Sequence, residues 1–374
     1  MRIALFSSTI DASDGYGNIT YELSAHYAKL GLDITLFLPR SQQEVADRLA
    51  LPFPVRCELP EYIFRLHQPK ALAYWRRVDL SGFDIAHSLF AFPYCLIAAR
   101  SARKAGIPFI MGAQGTHGVR PLTYFAERRV LKWCYRQARC IAVPSEYTKR
   151  MILQYAEESY DIQVIHNGVH FDRFQKHVDP APICKKYGDS IKLLTVGGLW
   201  GRKGHDIVLR ALQRVLQRRT DVQYIIVGDG NARASLQALA QELGVAAHVD
   251  FAGRQSGDDL VRYFQACDIY VHTPKVTDDL KFEGFGIVYL EASACGKPIV
   301  ATDAGGIRDA VLDGETGLIA PNEDGEGVAD RILTLCNDAD LRTRLGETGR
   351  EYARKNDWSL VAAQFKSIYR SFHA

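Results

Sequence analysis

Paired cysteines are missing from this 374-residue chain: its eight cysteines are scattered, with no C-x-x-C pair and no Cys/His cluster at zinc spacing. That excludes a disulfide framework and a structural metal, and it fits a reducing cytoplasm. A strong excess of one charge is missing too. Lys and Arg number 46 against 43 Asp and Glu, a net charge of +3, and no nucleic-acid partner is expected. With 47% hydrophobic and 24% charged residues the composition is that of a soluble globular enzyme, and membrane-spanning segments are not expected. The opening Met1-Arg2-Ile3-Ala4-Leu5-Phe6 has one basic residue and a short apolar stretch that runs straight into Ser7, Ser8 and Thr9. It reads as a buried first strand, not as a signal peptide.

What is present is length and alternation. The chain is long enough for two domains, each with a full core. Short apolar runs alternate with longer amphipathic stretches, as βαβ units require. Strands are expected at Arg2–Phe6, Ile34–Leu38, Ile85–His87, Phe109–Gly112, Cys140–Val143 and Val164–His166, then at Lys192–Val196, Tyr224–Val227, Val249–Ala252, Ile269–His272, Pro298–Ala301 and Gly317–Ile319. The predicted fold class is α/β, two Rossmann-like doubly wound domains facing across a cleft. Asp179-Pro180-Ala181-Pro182 carries no apolar periodicity, so 179–187 is read as the linker between domains at 1–178 and 188–356. Residues 357–374 are expected to form a helix that packs back on the first domain.

Charge is uneven along the chain. From 60 to 140 there are thirteen Lys/Arg against four Asp/Glu. Arg128, Lys132, Arg136 and Arg139 recur there at helical spacing, with Leu131, Cys134, Tyr135 and Ala138 free to face a core or a lipid surface. One reading is a surface for anionic lipid or an anionic acceptor. The other is a solvated helix face.

The densest motif is Glu283-Gly284-Phe285-Gly286-Ile287-Val288-Tyr289-Leu290-Glu291. Two glycines open a helix whose first N–H groups and positive dipole end receive phosphate. At about 1.5 Å rise per residue the two carboxylates would stand roughly 12 Å apart, the length of a diphosphate with a sugar at one end and a ribose at the other. Arg202 and Lys203, flanked by Gly201 and Gly204 after a predicted strand, can bring two positive charges to that diphosphate. Gly228-Asp229-Gly230 and Gly253-Arg254 close two further strands and offer a slot for a nucleobase. His117, flanked by Gly115 and Gly118 after the fourth strand, is placed to donate to a sugar hydroxyl or carbonyl, whereas His166 and His170 read as structural. The loop Ser13-Asp14-Gly15-Tyr16-Gly17-Asn18 precedes a helix but is not G-x-G-x-x-G, and no acidic residue ends the second strand; a nicotinamide dinucleotide is disfavoured.

Taken in order, the glycine loop, His117, Arg202-Lys203-Gly204, Gly228-Asp229-Gly230, Glu283-x7-Glu291, Cys295-Gly296-Lys297-Pro298 and Gly305-Gly306 resemble the family 4 retaining glycosyltransferases of the GT-B fold. The resemblance implies transfer of a sugar from a nucleotide donor to an acceptor hydroxyl, with retention and without a metal or other cofactor. It implies that His117, Lys203 and Glu283 are catalytic, with Glu283 on the donor sugar's hydroxyls and His117 beside the same sugar. It places Glu291 on the ribose, the amides of Phe285, Gly286 and Ile287 on the distal phosphate, and Arg202, Gly17, Gly228 and Arg254 around the donor. Tyr16, Arg120, Arg128, Lys132 and Arg136 are left as the acceptor or membrane surface.

Two departures stand out: Gly197-Gly198 where the family often has Gly-Arg, and a first-domain glycine pair split as Gly15-Tyr16-Gly17. The long segment from His272 to Phe282 resembles an insertion in members that use GDP-mannose on lipid-linked acceptors, so mannose is the favoured sugar and a UDP-sugar the other. The expected setting is cytoplasmic, with the inner face of the plasma membrane as a peripheral site. The expected role is in cell-envelope polysaccharide, lipopolysaccharide or glycolipid synthesis. Two other readings stay open: a nucleotide-sugar 2-epimerase, which would change its donor with no second substrate, and a non-catalytic membrane-associated module that binds sugar nucleotides.

Overall fold

The computed structural model describes residues 1–11, 15–63 and 65–372. Ser13 and Asp14 of the glycine loop lie outside the described residues. The chain forms two compact units, Met1–Gly168 with Trp358–Ala374, and Val169–Asp357.

In the first unit β1 (Arg2–Phe6), β2 (Asp33–Pro39), β3 (Val55–Leu59), β4 (Ile85–Ser88), β5 (Phe109–Gly112), β6 (Cys140–Val143) and β7 (Ile162–Val164) form a parallel sheet ordered β3-β2-β1-β4-β5-β6-β7. In the second, β8 (Ile191–Val196), β9 (Val222–Val227), β10 (Val249–Gly253), β11 (Ile269–His272), β12 (Ile299–Thr302) and β13 (Gly317–Ala320) are ordered β10-β9-β8-β11-β12-β13. Both orders step outward from the first strand and then jump to its other side, between β1 and β4 and between β8 and β11. Loops part at such a switch point and leave a crevice beyond the carboxyl ends of the strands.

Three sequence expectations need correcting. Strand β3 was not expected because its pattern, with Val55 and Cys57 half-buried and Arg56 and Glu58 exposed, belongs to a sheet edge. Strand β7 lies two residues earlier than Val164–His166. The stretch 179–187 is no linker. Asp179 accepts from the Ala181 amide (3.0 Å), a helix runs over Ala181–Tyr187, and Ile183 is buried in the second unit's core. Proline in a first helical turn forfeits no hydrogen bond, so Pro180 and Pro182 open this helix where they had suggested a break. The units therefore part at Gly168, not at residue 178.

The helix Trp358–Ser371 belongs to the first unit. Its Tyr369 hydroxyl meets His87 Nδ1 at 2.6 Å, its Phe365 and Tyr369 rings pack edge-on to Tyr27, and Lys366 Nζ donates to the Leu30 carbonyl (2.7 Å). Among the described residues no helix is long and apolar enough to cross a membrane.

Candidate active site

The second unit's switch point is where its predicted residues meet. After β8 the chain passes Gly197 and Gly198, makes a tight turn over Gly201–Lys203 and enters the helix His205–Leu216 at Gly204. Gly204 sits at φ +71°, and a Cβ there would stand 1.7 Å from the Thr273 carbonyl oxygen. Only glycine lets the two loops approach so closely. Thr273 Oγ1 donates to the Gly204 carbonyl (2.8 Å) and the Lys275 amide to the Arg202 carbonyl (2.8 Å), so the segment after β11 is stitched to the one after β8.

That stitching aims two cations at one oxygen. Lys203 Nζ donates to Glu283 Oε2 at 2.6 Å, and Arg202 Nη1 lies 3.3 Å from the same atom. The Glu283 side chain is only 17% exposed. Burial pushes its carboxyl upward, but the Lys203 ammonium and then the Arg202 guanidinium outweigh burial and hold it at about 2. Beside them His272 is fully buried, and neither ring nitrogen has a hydrogen-bond partner among the described residues. Burial, reinforced by the Lys203 charge, keeps that imidazole neutral well below its usual range. Burial likewise lowers His205 to about 4, against the Gly198 carbonyl that favours its charged form.

Glu283 is fixed through its backbone as well, since its carbonyl accepts from the Gly306 amide at 2.8 Å. The chain then turns at Gly286, φ +91°, into the helix Ile287–Ala294, which Tyr289 pins to β11 by donating to the His272 carbonyl (2.9 Å). Helical structure thus begins four residues after Glu283, and the 12 Å spacing along one helix axis does not hold: Glu283 precedes the helix and Glu291 lies one turn inside it. Phe285 is buried in the core. Gly228 closes β9 against the Gly197 carbonyl, and Arg254 is exposed just after β10. The arrangement is two cations and a helix N-terminus around one carboxylate. A diphosphate would draw Lys203 and Arg202 to itself and release Glu283 to accept from hydroxyls.

In the first unit the predicted loop residues are partly helical. Gly15, Tyr16 and Gly17 already belong to the helix Gly15–Lys29, and a Cβ on Gly17 would fall 1.8 Å from the Asp11 carbonyl oxygen. His117 lies in a single helical turn, Thr116–Val119, instead of at a loop tip. Its Nδ1 is 3.2 Å from the Tyr62 hydroxyl, and its ring meets Tyr16 edge-on at 4.9 Å, with Phe90 on another side of Tyr16 at 4.9 Å. Burial lifts the Tyr62 phenol to about 12, partly opposed by the Arg120 charge, so it stays protonated at neutral pH.

Comparison with known proteins agrees with this organisation. Residues 13–173 match the family described as Glycosyltransferase Family 4, and residues 182–352 match Glycosyl transferases group 1. The chain is 32% identical over 272 residues, 71% of each chain, to the GDP-mannose-dependent alpha-(1-6)-phosphatidylinositol monomannoside mannosyltransferase of Mycolicibacterium smegmatis. This chain is a family 4 glycosyltransferase. Its fold is also that of a glycosyltransferase from Rickettsia africae (TM-score 0.81, 18% identity, 99% of this chain and 98% of that one) and of HepE from Anabaena in complex with UDP (0.80, 20%, 99% and 100%). Two parallel-sheet Rossmann-like units make the glycosyltransferase a member of the GT-B fold.

The basic helix of the glycosyltransferase, Phe125–Gln137, does not present a bare cationic face. Arg128 pairs with Glu157 (2.8 Å), and Lys132 (2.7 Å) and Arg136 (2.6 Å) share Glu158. Arg136, followed by Lys132, pulls the Glu158 carboxyl down to about 2. Leu131, Cys134 and Tyr135 fill the core, and Arg139 lies past the helix end. Two glutamates that follow a different helix thus pair with three of its cations, and the fourth, Arg129, lies over the Phe125 ring. Sequence reasoning also missed Tyr62, Phe90 and His272. Tyr62 follows the unexpected β3, and the bond to His117 spans 55 residues, so no local pattern announces it.

Proposed function

We propose that this glycosyltransferase moves a hexosyl group, mannose, from GDP-mannose to a hydroxyl of a glycan or lipid-linked acceptor of the cell envelope, with retention of configuration and without a metal. The observation that carries the proposal is the double grip of Lys203 and Arg202 on Glu283 beside the N-terminus of Ile287–Ala294. A nucleoside diphosphate offers the two cations more negative charge than one carboxylate does, and the first free amides of that helix add donors for the distal phosphate. Glu283, released, accepts from the sugar's hydroxyls, and Glu291 holds the ribose. As the glycosidic bond to phosphate breaks, charge grows on the departing diphosphate, where Lys203, Arg202 and the helix N-terminus stabilise it. The acceptor hydroxyl enters on the same face and its proton passes to the leaving phosphate oxygen, so no covalent enzyme nucleophile is required.

The GDP-mannose dependence named for the Mycolicibacterium relative supports the choice of donor and of a lipid-linked acceptor. A thermal-shift comparison of GDP with UDP tests it, because a ligand that binds only the folded state raises the melting point by mass action. Stabilisation by GDP is expected. Stabilisation by UDP alone would remove mannose from the proposal. Turnover within a factor of a few of normal after Lys203→Ala would overturn the leaving-group account.

A further inference from the structure

Within the first unit, the start of Phe125–Gln137 and the end of the helix Glu146–Ala156 border a cavity of about 550 Å3, within the range of about 300–1,000 Å3 usual for small-molecule sites. Tyr124, Phe125 and Tyr155 line it together with Gln154, Arg128 and Glu157. Phe125 is 76% exposed, so its ring contributes almost nothing to the core. The Arg129 guanidinium lies over one face of that ring, 4.6 Å from its centre, which still leaves most of Phe125 to water. Tyr124 is held rigidly: Arg65 lies 3.7 Å above its ring centre, and Arg65 is itself anchored on Glu127 (2.9 Å).

The polar part of the lining carries no net charge, because Arg128 and Glu157 form an ion pair. Glu157 takes the left-handed position after its helix, φ +56°, which glycine ordinarily fills, and this places a carboxylate at the rim. An anionic headgroup would call for unpaired cations lining the cavity, yet Arg129 is turned onto the Phe125 ring and is not part of the lining, and Lys132 and Arg136 are both paired with Glu158. Aromatic rings beside a carboxylate, a guanidinium and an amide, with no net charge, match a neutral pyranose. Its C–H face lies on an electron-rich ring while its hydroxyls pair with planar polar groups.

We infer that this cavity is a saccharide subsite that holds a neutral sugar residue of the acceptor, with Phe125 and Tyr155 as its platform. The inference rests on the glycosyl-transfer reading for its role but not for its binding. Saturation-transfer NMR on the full chain with α-linked mannobiose, maltose and cellobiose tests it, alongside Phe125→Ala and co-sedimentation with phosphatidylcholine vesicles containing phosphatidylglycerol. A transfer signal from at least one disaccharide is expected, weakened about threefold or more in Phe125→Ala while nucleotide binding is unchanged, as loss of one aromatic contact implies. With an oligosaccharide acceptor the same variant should raise KM about tenfold and leave kcat within about twofold. Absence of any disaccharide signal, or a signal that Phe125→Ala leaves intact, would overturn the subsite. So would vesicle binding that depends on Phe125 without saccharide binding, which would make the patch a lipid surface. Because the NMR reads binding alone, a chain that failed to turn over would still test the cavity.

Discussion

Replacing Lys203 with methionine should destabilise the second unit in a measurable and reversible way. Glu283 is held at about 2 instead of the ordinary 4.5, which at about 1.4 kcal/mol per tenfold amounts to roughly 3 kcal/mol in favour of the ionised carboxylate in the folded state. Lys203, 2.6 Å away, is the first of the two cations responsible, and Arg202 at 3.3 Å cannot take its place in full. Leaving a buried carboxylate short of its partner costs at the low end of the 3–5 kcal/mol range, about 3 kcal/mol. For a unit the size of Val169–Asp357 that is a fall in Tm of about 6–12 °C. Adding Glu283→Gln to Lys203→Met removes the stranded charge, and the double variant should recover, with a coupling of about 1.5–3 kcal/mol in a double-mutant cycle. The folded-state value lies below the unfolded one, so this stabilisation is complete above about pH 4.5 and is lost as pH falls toward 2; wild type and Lys203→Met should converge over that window. Urea and thermal unfolding of the four proteins at neutral pH decide the matter. Effects that add to within about 0.5 kcal/mol would refute the reasoning, since they would mean that the pair is solvated and carries little energy.

Two further outcomes follow from neighbouring features. His205, lowered by burial from 6.5 to about 4, is neutral when folded but takes up a proton when unfolded below pH 6.5, so its own contribution to stability should drop by about 2 kcal/mol between pH 7 and pH 5, on top of losses of the same sign from the buried His87 and His272. Urea midpoints at the two pH values should show that drop in wild type and a shallower one in His205→Gln; equal slopes would contradict the assignment. Gly204→Ala forces a Cβ to within 1.7 Å of the Thr273 carbonyl oxygen at φ +71° and should cost about 2 kcal/mol or more. It should also weaken nucleotide binding in calorimetry by displacing Lys203, and unchanged affinity would show that the turn does not position it.

The two sheets were legible because their inner strands are buried on both faces and read as unbroken apolar runs. Strand β3 was not, since Val55–Leu59 alternates at an edge and looks like surface. The residue types of the donor-side cluster could be read from glycine-flanked segments after successive strands, yet their pairing could not. Lys203 and Glu283 are 80 residues apart, and their contact depends on β8 and β11 lying side by side at the switch point. Prolines 180 and 182 were misread because the same residue that ends a helix also begins one. The cations of Phe125–Gln137 were counted without Glu157 and Glu158, which lie beyond the next strand and helix in sequence but beside them in space. His272 gave no sign of its environment, since burial of a histidine is a property of the packing around it.

The return of Trp358–Ser371 to the first unit also sets an order of assembly during synthesis. The residues from Val169 to Asp357 are contiguous and build a sheet and core of their own, with Val169 bonded to Asn356 where the chain leaves (3.0 Å). The first unit, although it begins the chain, has Tyr27 and His87 uncovered until Phe365 and Tyr369 have been made. Domains of a growing chain ordinarily complete themselves from the N-terminus onward. Here the later unit can close while the earlier one still awaits its last helix.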